Sequence, residues 1–163
     1  MKLTLNRGAL LTGEALRLFD TDHSPSAQLH DPKSGLFCCL GVYLRDVCGK
    51  TPESMGSAGM PLDAYLAKDL PEWLQGHAAD TSKKDARDIA GLNDASPDVH
   101  PKDREEGITK LFLQLSDVDE VEWVGDYAEG TRKMRQALGL PEPPSSVAKF
   151  ASGLQLDDEF EPF

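Results

Sequence analysis

Long apolar runs are missing from this 163-residue chain. No uninterrupted hydrophobic stretch approaches the ~20 residues a helix needs to cross a bilayer. Residues 1–8, Met-Lys-Leu-Thr-Leu-Asn-Arg-Gly, lack the apolar core and small-residue cleavage site of a signal peptide. The expectation is a cytoplasmic protein with no membrane association. Basic residues are scarce too: 17 Lys and Arg against 28 Asp and Glu leave a net charge of −11. That field repels nucleic-acid phosphates and anionic lipid, so direct nucleic-acid binding is not expected. It suits plain solubility, or an acidic surface offered to a basic partner.

Cysteine is sparse and odd in number, with three residues, which argues against a disulfide framework. On one helix, Cys39 and Cys48 stand about 13 Å apart at ~1.5 Å per residue, beyond the reach of a bridge of about 7 Å. Reduced thiols are expected. Metal signatures are absent: there is no C-x-x-C, H-x-x-x-H or H-E-x-x-H. Asp20, Asp22, His23 and His30 share a loop of ordinary solvated character. Gly56-Ser-Ala-Gly59 has neither the lysine nor the preceding strand of a phosphate-binding loop. No metal and no cofactor are predicted.

A chain of this size makes about one domain and buries roughly two-thirds of its unfolded surface without a staple. Residues 36–48, Leu-Phe-Cys-Cys-Leu-Gly-Val-Tyr-Leu-Arg-Asp-Val-Cys, predict a helix apolar on every side and therefore central to the core. Ser34 is its expected N-cap and Gly49 its left-handed stop. Residues 101–115 predict the best amphipathic helix. Its apolar face holds Ile108, Leu111, Phe112 and Leu115, with Asp103, Glu105 and Glu106 complementing the dipole in the first turns.

Lesser elements complete the pattern. A helix within residues 7–19 starts at Thr12 with Glu14 in its first turn. Leu62, Tyr65 and Leu66, then Leu70, Trp73 and Leu74, predict two short helical pieces, the second opening at Pro71. Residues 50–61 read as a loop, and 81–89 as an exposed helical turn or two. Residues 118–124 alternate well enough to be the one strand, and 126–138 form a helix stopped by Gly139 and Pro141. The fold class predicted is mainly helical α+β: residues 1–140 form a single domain around the buried central helix, with a minor β element and residues 101–115 packed on that helix. Residues 141–163 form a linker and an acidic-aromatic tail.

Two constellations carry candidate chemistry. Cys38 and Cys39 lie near the start of the central helix, where the dipole lowers a thiol pKa and favours the nucleophilic thiolate. A hydrolase or transferase built on them also needs a histidine base, from His23, His30, His77 or His100, and an orienting group such as Asn93 or Asp94. The alternative is that Cys38, Cys39 and Cys48 are small packed hydrophobes, and this is preferred. Leu92-Asn93-Asp94 reads as a capping turn before a helix, whose polar groups can also bind a ligand beside the cysteine helix. In the tail, Asp157, Asp158, Glu159, Phe160, Glu161 and Phe163 combine carboxylates with aromatic anchors suited to a basic partner or to closing over the protein's own core, or form a solvated terminus.

Phe37-Cys-Cys-Leu-Gly-Val42, the later Leu70-Pro71 and Trp73-Leu74, and Leu92-Asn93-Asp94 resemble a family of small uncharacterised proteins of tailed bacteriophages and prophages. The resemblance spans about residues 8–115. The family's Gly-x-Ser-Phe continuation after Leu-Asn-Asp is replaced here by residues 95–101. What it implies is a phage setting and a shared fold, with no activity attached. The function expected is a non-catalytic accessory protein in the cytoplasm of the infected host cell. There it inhibits a host defence or host machinery component, binding a host protein with a basic surface. The alternatives are a protein that sequesters a small signalling molecule in a pocket, and a cysteine-dependent enzyme using Cys38 or Cys39. A structural virion component is disfavoured by the lack of repeats and of coiled-coil pattern.

Overall fold

Lys2–Asn6 alternates strictly, with Leu3 and Leu5 buried and Lys2, Thr4 and Asn6 exposed, and this period of two makes it a strand, β1. The computed structural model describes residues 1–17, 28–61, 67–75, 82–95 and 98–141. Among them, β1 is followed by α1 (Gly13–Leu16), α2 (Cys39–Asp46), α3 (Pro52–Met55), α4 (Glu72–Gln75), α5 (Ala86–Asp94) and α6 (Pro101–Leu115). Strand β2 (Glu120–Val124) and helix α7 (Tyr127–Ala137) complete the order. The fold is mainly helical α+β, as its residues predict. Among the described residues no helix is long and apolar enough to cross a membrane.

The sheet has two parallel strands in the register Lys2↔Glu120 to Asn6↔Val124. A parallel pair needs a crossover connection, and here that connection contains α1 to α6. The pairing therefore joins the first element to the end of α6. Cross-strand charges support it: Lys2 Nζ lies 3.0 Å from Glu122 and 3.8 Å from Glu120, and the N-terminal ammonium sits on Asp119. These pairs are exposed and contribute little individually. Burial of Leu3 and Leu5 supplies more. Sequence pattern assigned a single strand, and β1 is the correction.

Helix α2 is shorter at its start than expected. Leu36 and Phe37 are held extended by neighbouring chain: Leu11 N donates to Phe37 O at 2.7 Å, Phe37 N to Ala9 O at 3.1 Å and Asp31 N to Leu36 O at 2.8 Å. These bridges place the N-cap at Cys38. Ser34 is engaged elsewhere, its amide and hydroxyl both donating to the Asp31 carboxylate. The core assignment stands, since Cys39 to Leu44 are all buried. Gly49 takes a φ of 66° beyond the helix, where a Cβ is strained.

Helix α6 runs over Pro101–Leu115 with Ile108, Leu111 and Phe112 buried. It packs chiefly on α5 and meets α2 through Phe112, whose ring stacks on Tyr43 at 5.5 Å. Helix α5 corrects an expected exposed turn. Asp85 and Asp88 form a capping box, and Ala86, Ile89 and Asn93 face the core. Its polar composition hid a buried stripe at a spacing of three and four. Helix α3 occupies part of the expected loop at 50–61. Thr12 is the N-cap of α1 and Glu14 lies in its first turn. Helix α7 ends at Gly139, φ 69°, with Leu140 N donating to Arg135 O at 2.8 Å and Gly139 N to Gln136 O at 3.1 Å, a Schellman closure. The helical piece at Leu62, Tyr65 and Leu66 and the tail lie outside the described residues.

The glycine of the cysteine run has a steric cause. A Cβ at Gly41 would lie 1.9 Å from the Leu29 carbonyl oxygen, and Cys38 N donates to that same oxygen at 3.3 Å. Gly41→Ala is therefore expected to destabilise the protein by about 3 kcal/mol or more, at the upper end of overpacking costs. At Gly49, with no heavy atom within 4 Å of the added Cβ, alanine should cost only about 1–2 kcal/mol of backbone strain. Urea unfolding of the two variants checks the ranking.

Candidate functional site: a buried cysteine–asparagine junction and an open groove

Asn93, in the last turn of α5, is 2% exposed and points at the start of α2. Its Oδ1 accepts from Cys39 N at 3.2 Å and from Cys39 Sγ at 3.1 Å. Its Nδ2 donates to Leu11 O at 2.8 Å and to Asp94 Oδ1 at 3.0 Å. Two donations and two acceptances use the full capacity of a carboxamide. The orientation is fixed by its partners, since a carbonyl and a carboxylate can only accept. One side chain thus ties the segment before α1, the N-terminus of α2 and the C-terminus of α5.

The structure brings together Cys38, Cys39, Asn93 and Asp94. It also corrects their setting. Asn93 and Asp94 close α5 and do not precede a helix. The dipole argument for a reactive Cys38 fails, because burial pushes that thiol up to about 12, against the opposing Gly41 N–H and with Asp94 adding to the rise. Burial likewise holds Cys39 well above the ordinary thiol range, with Cys38 reinforcing it and the charge of Arg104 opposing. Cys38 Sγ instead caps α2, accepting from Gly41 N at 3.4 Å. Cys48 is partly exposed, and all three cysteines are free.

Among the described residues no histidine is hydrogen-bonded to a thiol. His30 packs against Phe37 with ring centroids 4.5 Å apart, and His100 caps α6 by accepting from Lys102 N at Nδ1. No cluster of three His, Cys, Asp or Glu able to hold a metal occurs among the described residues. His23, His77, Asp20 and Asp22 lie outside them, as do Asp157, Asp158, Glu159, Phe160, Glu161 and Phe163. At neutral pH the arrangement gives both N-terminal thiols of α2 a packing and capping role.

Arg104 is the interior residue that no motif announced. It is 1% exposed, its Nη1 and Nη2 have no hydrogen-bond partner, and its guanidinium lies 4.8 Å over the Tyr127 ring. A cation–π contact of this kind recovers part of the desolvation cost. A signal did exist: position 104 falls on the stripe of 108, 111 and 112. Next to it, Glu105 accepts from Arg7 Nε and Nη2 at 2.7 and 2.8 Å and from the Tyr127 hydroxyl at 2.8 Å. Burial opposes ionisation of Glu105, but these hydrogen bonds and the Arg7 charge outweigh it and hold the carboxyl below its usual range.

Adjoining this network through Glu105, α6 and β2 border an open groove of about 430 Å³, lined by Lys102, Glu105, Glu106, Thr109, Lys110, Leu113 and Trp123. The α6 residues recur at three and four along one helical stripe. Trp123 Nε1 donates to Thr109 Oγ1 at 2.9 Å, fixing the indole in the groove. Leu113 is 44% exposed there. The groove mixes apolar surface with both signs of charge and suits non-covalent recognition.

Three outcomes are expected. In the native protein a small maleimide should modify Cys48 and leave Cys38 and Cys39 untouched until denaturant is added, as read by mass spectrometry. Because the folded pKa of Cys38 lies above that of an unfolded thiol near 9, stability should be full below pH 9. It should fall by up to about 1.4 kcal/mol per pH unit between about 9 and 12. Asn93→Ala should cost about 3 kcal/mol or more in urea unfolding, since it leaves the buried Leu11 carbonyl and Cys39 amide without their partner. Compared with protein-family models, with curated proteins and with solved structures, the chain matches none.

Proposed function

We propose that the protein acts by binding, presenting an acidic surface to a protein with a basic one. The observation that carries this reading is the segment 117–129. Asp117, Asp119, Glu120, Glu122, Asp126 and Glu129 follow one another there with no basic residue between them. All are exposed except the half-buried Glu122. Lys2, Arg132 and the N-terminal ammonium offset part of this charge, while the chain as a whole keeps its −11. Buried thiols with raised pKa values add support for binding over cysteine chemistry. The resemblance to bacteriophage and prophage proteins supplies the setting: an accessory protein that inhibits a host defence or machinery component in the infected cell's cytoplasm. Sequestration of a small ligand is a second reading, favoured by the groove beside Trp123.

Immobilised protein is expected to retain a specific protein of basic isoelectric point from bacterial lysate. It should release that protein in ~1 M salt, where the Debye length is about 3 Å, and fail to retain it once Asp117, Asp119 and Asp126 are replaced by Asn. A partner held equally by the neutralised variant and in high salt overturns the acidic-surface reading.

A further inference from the structure

Among the described residues strand β2 is paired on one side only. Its five residues lie in register with β1, and no other backbone hydrogen bond among the described residues reaches Glu120–Val124. In a parallel pair alternate residues turn their N–H and C=O away from the partner, so among the described residues β2 has a row of donors and acceptors with no strand beside them. The strand is also uncovered, with Glu120 exposed and residues 121–124 half-buried. Sheet edges are commonly blocked by proline, a bulge or charged side chains, lysine above all. Glu-Val-Glu-Trp-Val holds a continuous register with β1 and has no proline or lysine, and its two charges are acidic, so they bar an acidic strand and admit a basic one.

The two faces of β2 differ in chemistry. Glu120 and Glu122 share one face with their partners Lys2 and Thr4, and Glu122 bonds both. Val121 and Trp123 share the other with Leu3 and Leu5, against α6 and its groove. A strand added to this edge would therefore meet carboxylates on one face and the Trp123–Leu113 groove on the other. A second copy would bring the same glutamates and a net charge of −11, so self-addition is opposed by repulsion. A cationic segment is attracted by the same charges.

We propose that the open edge of β2 is the docking site, and that its occupant is an extended segment of a basic protein alternating Lys or Arg with apolar residues. The segment adds as a third strand by β-augmentation. Its cations lie over Glu120 and Glu122, and its apolar side chains enter the groove at Trp123. This inference rests on the acidic-surface reading and gives it an address.

The test uses the full ¹⁵N-labelled chain, a synthetic peptide alternating Lys and Val, the same peptide with alternate backbone amides methylated, and cytochrome c as a folded basic protein. The Lys-Val peptide should shift the amides of residues 120–124 and slow their hydrogen exchange. Methylation should weaken binding at least about tenfold, since it removes two or more of the hydrogen bonds that join the segment to β2. Glu122→Lys should weaken it about fivefold or more, and the remote Glu53→Lys less than about twofold. If both peptides bind equally with shifts scattered over the surface, the edge inference fails while binding through a general acidic surface stands. If neither the peptides nor cytochrome c bind in a salt-dependent way, the acidic-surface reading fails with it.

Discussion

The carboxamide of Asn93 is the constraint on which the helical part of the structure depends. It satisfies the first amide of α2, the thiol beside it, the Leu11 carbonyl and the Asp94 carboxylate. All but the half-buried Asp94 carboxylate are otherwise deprived of water, and an unmet buried polar group costs more than a made bond contributes. Shape adds to this. An aspartate would bring a charge into the site, and an aliphatic residue would leave the Leu11 carbonyl and the Cys39 amide unmet. Segments 54 and 82 residues away from Asn93 are thereby held in one arrangement.

Around that junction, each residue of Phe37-Cys-Cys-Leu-Gly-Val42 has a physical assignment. Phe37 lies under the Arg45 guanidinium at 4.6 Å and bridges two neighbouring segments through its backbone. Cys38 caps the helix with sulfur, and Cys39 binds Asn93. Leu40 and Val42 fill the core, while Gly41 admits the Leu29 carbonyl. A run of small, soft and apolar residues with a glycine is what a helix start needs when it is pressed against backbone on one side and buried on the others. The cysteines are part of that fit, and burial removes the nucleophilicity their position would otherwise confer.

Polarity at the outer layer follows a different logic. The parallel pairing of β1 with β2 brings the acidic segment at 117–129 beside the N-terminus, where Lys2 and the terminal ammonium meet only part of its charge. One face of β2 is therefore carboxylate-rich and the other packs a tryptophan against α6. Arg104 and the Arg7–Glu105–Tyr127 network stiffen this side from within, coupling β1's trailing turn to α6 and α7. The binding proposal rests on this side of the molecule, where the carboxylates of β2 lie beside the groove at Trp123.

The amino-acid pattern by itself determined the class, the central apolar helix, the span of α6, the stop of α7 at Gly139 and the acidic balance. These follow from period, capping and composition, which act over a few residues. It also held two signals left unread: the alternation of Lys2–Asn6, and the alignment of Arg104 with Ile108, Leu111 and Phe112. Only the tertiary structure decided that Asn93 reaches Cys39, that the Cys38 thiol is raised by burial, and that β1 pairs with β2 across the whole helical crossover. Those outcomes depend on which distant groups share a dry interior, where desolvation outweighs the local helix dipole, and no spacing along the chain encodes that contact.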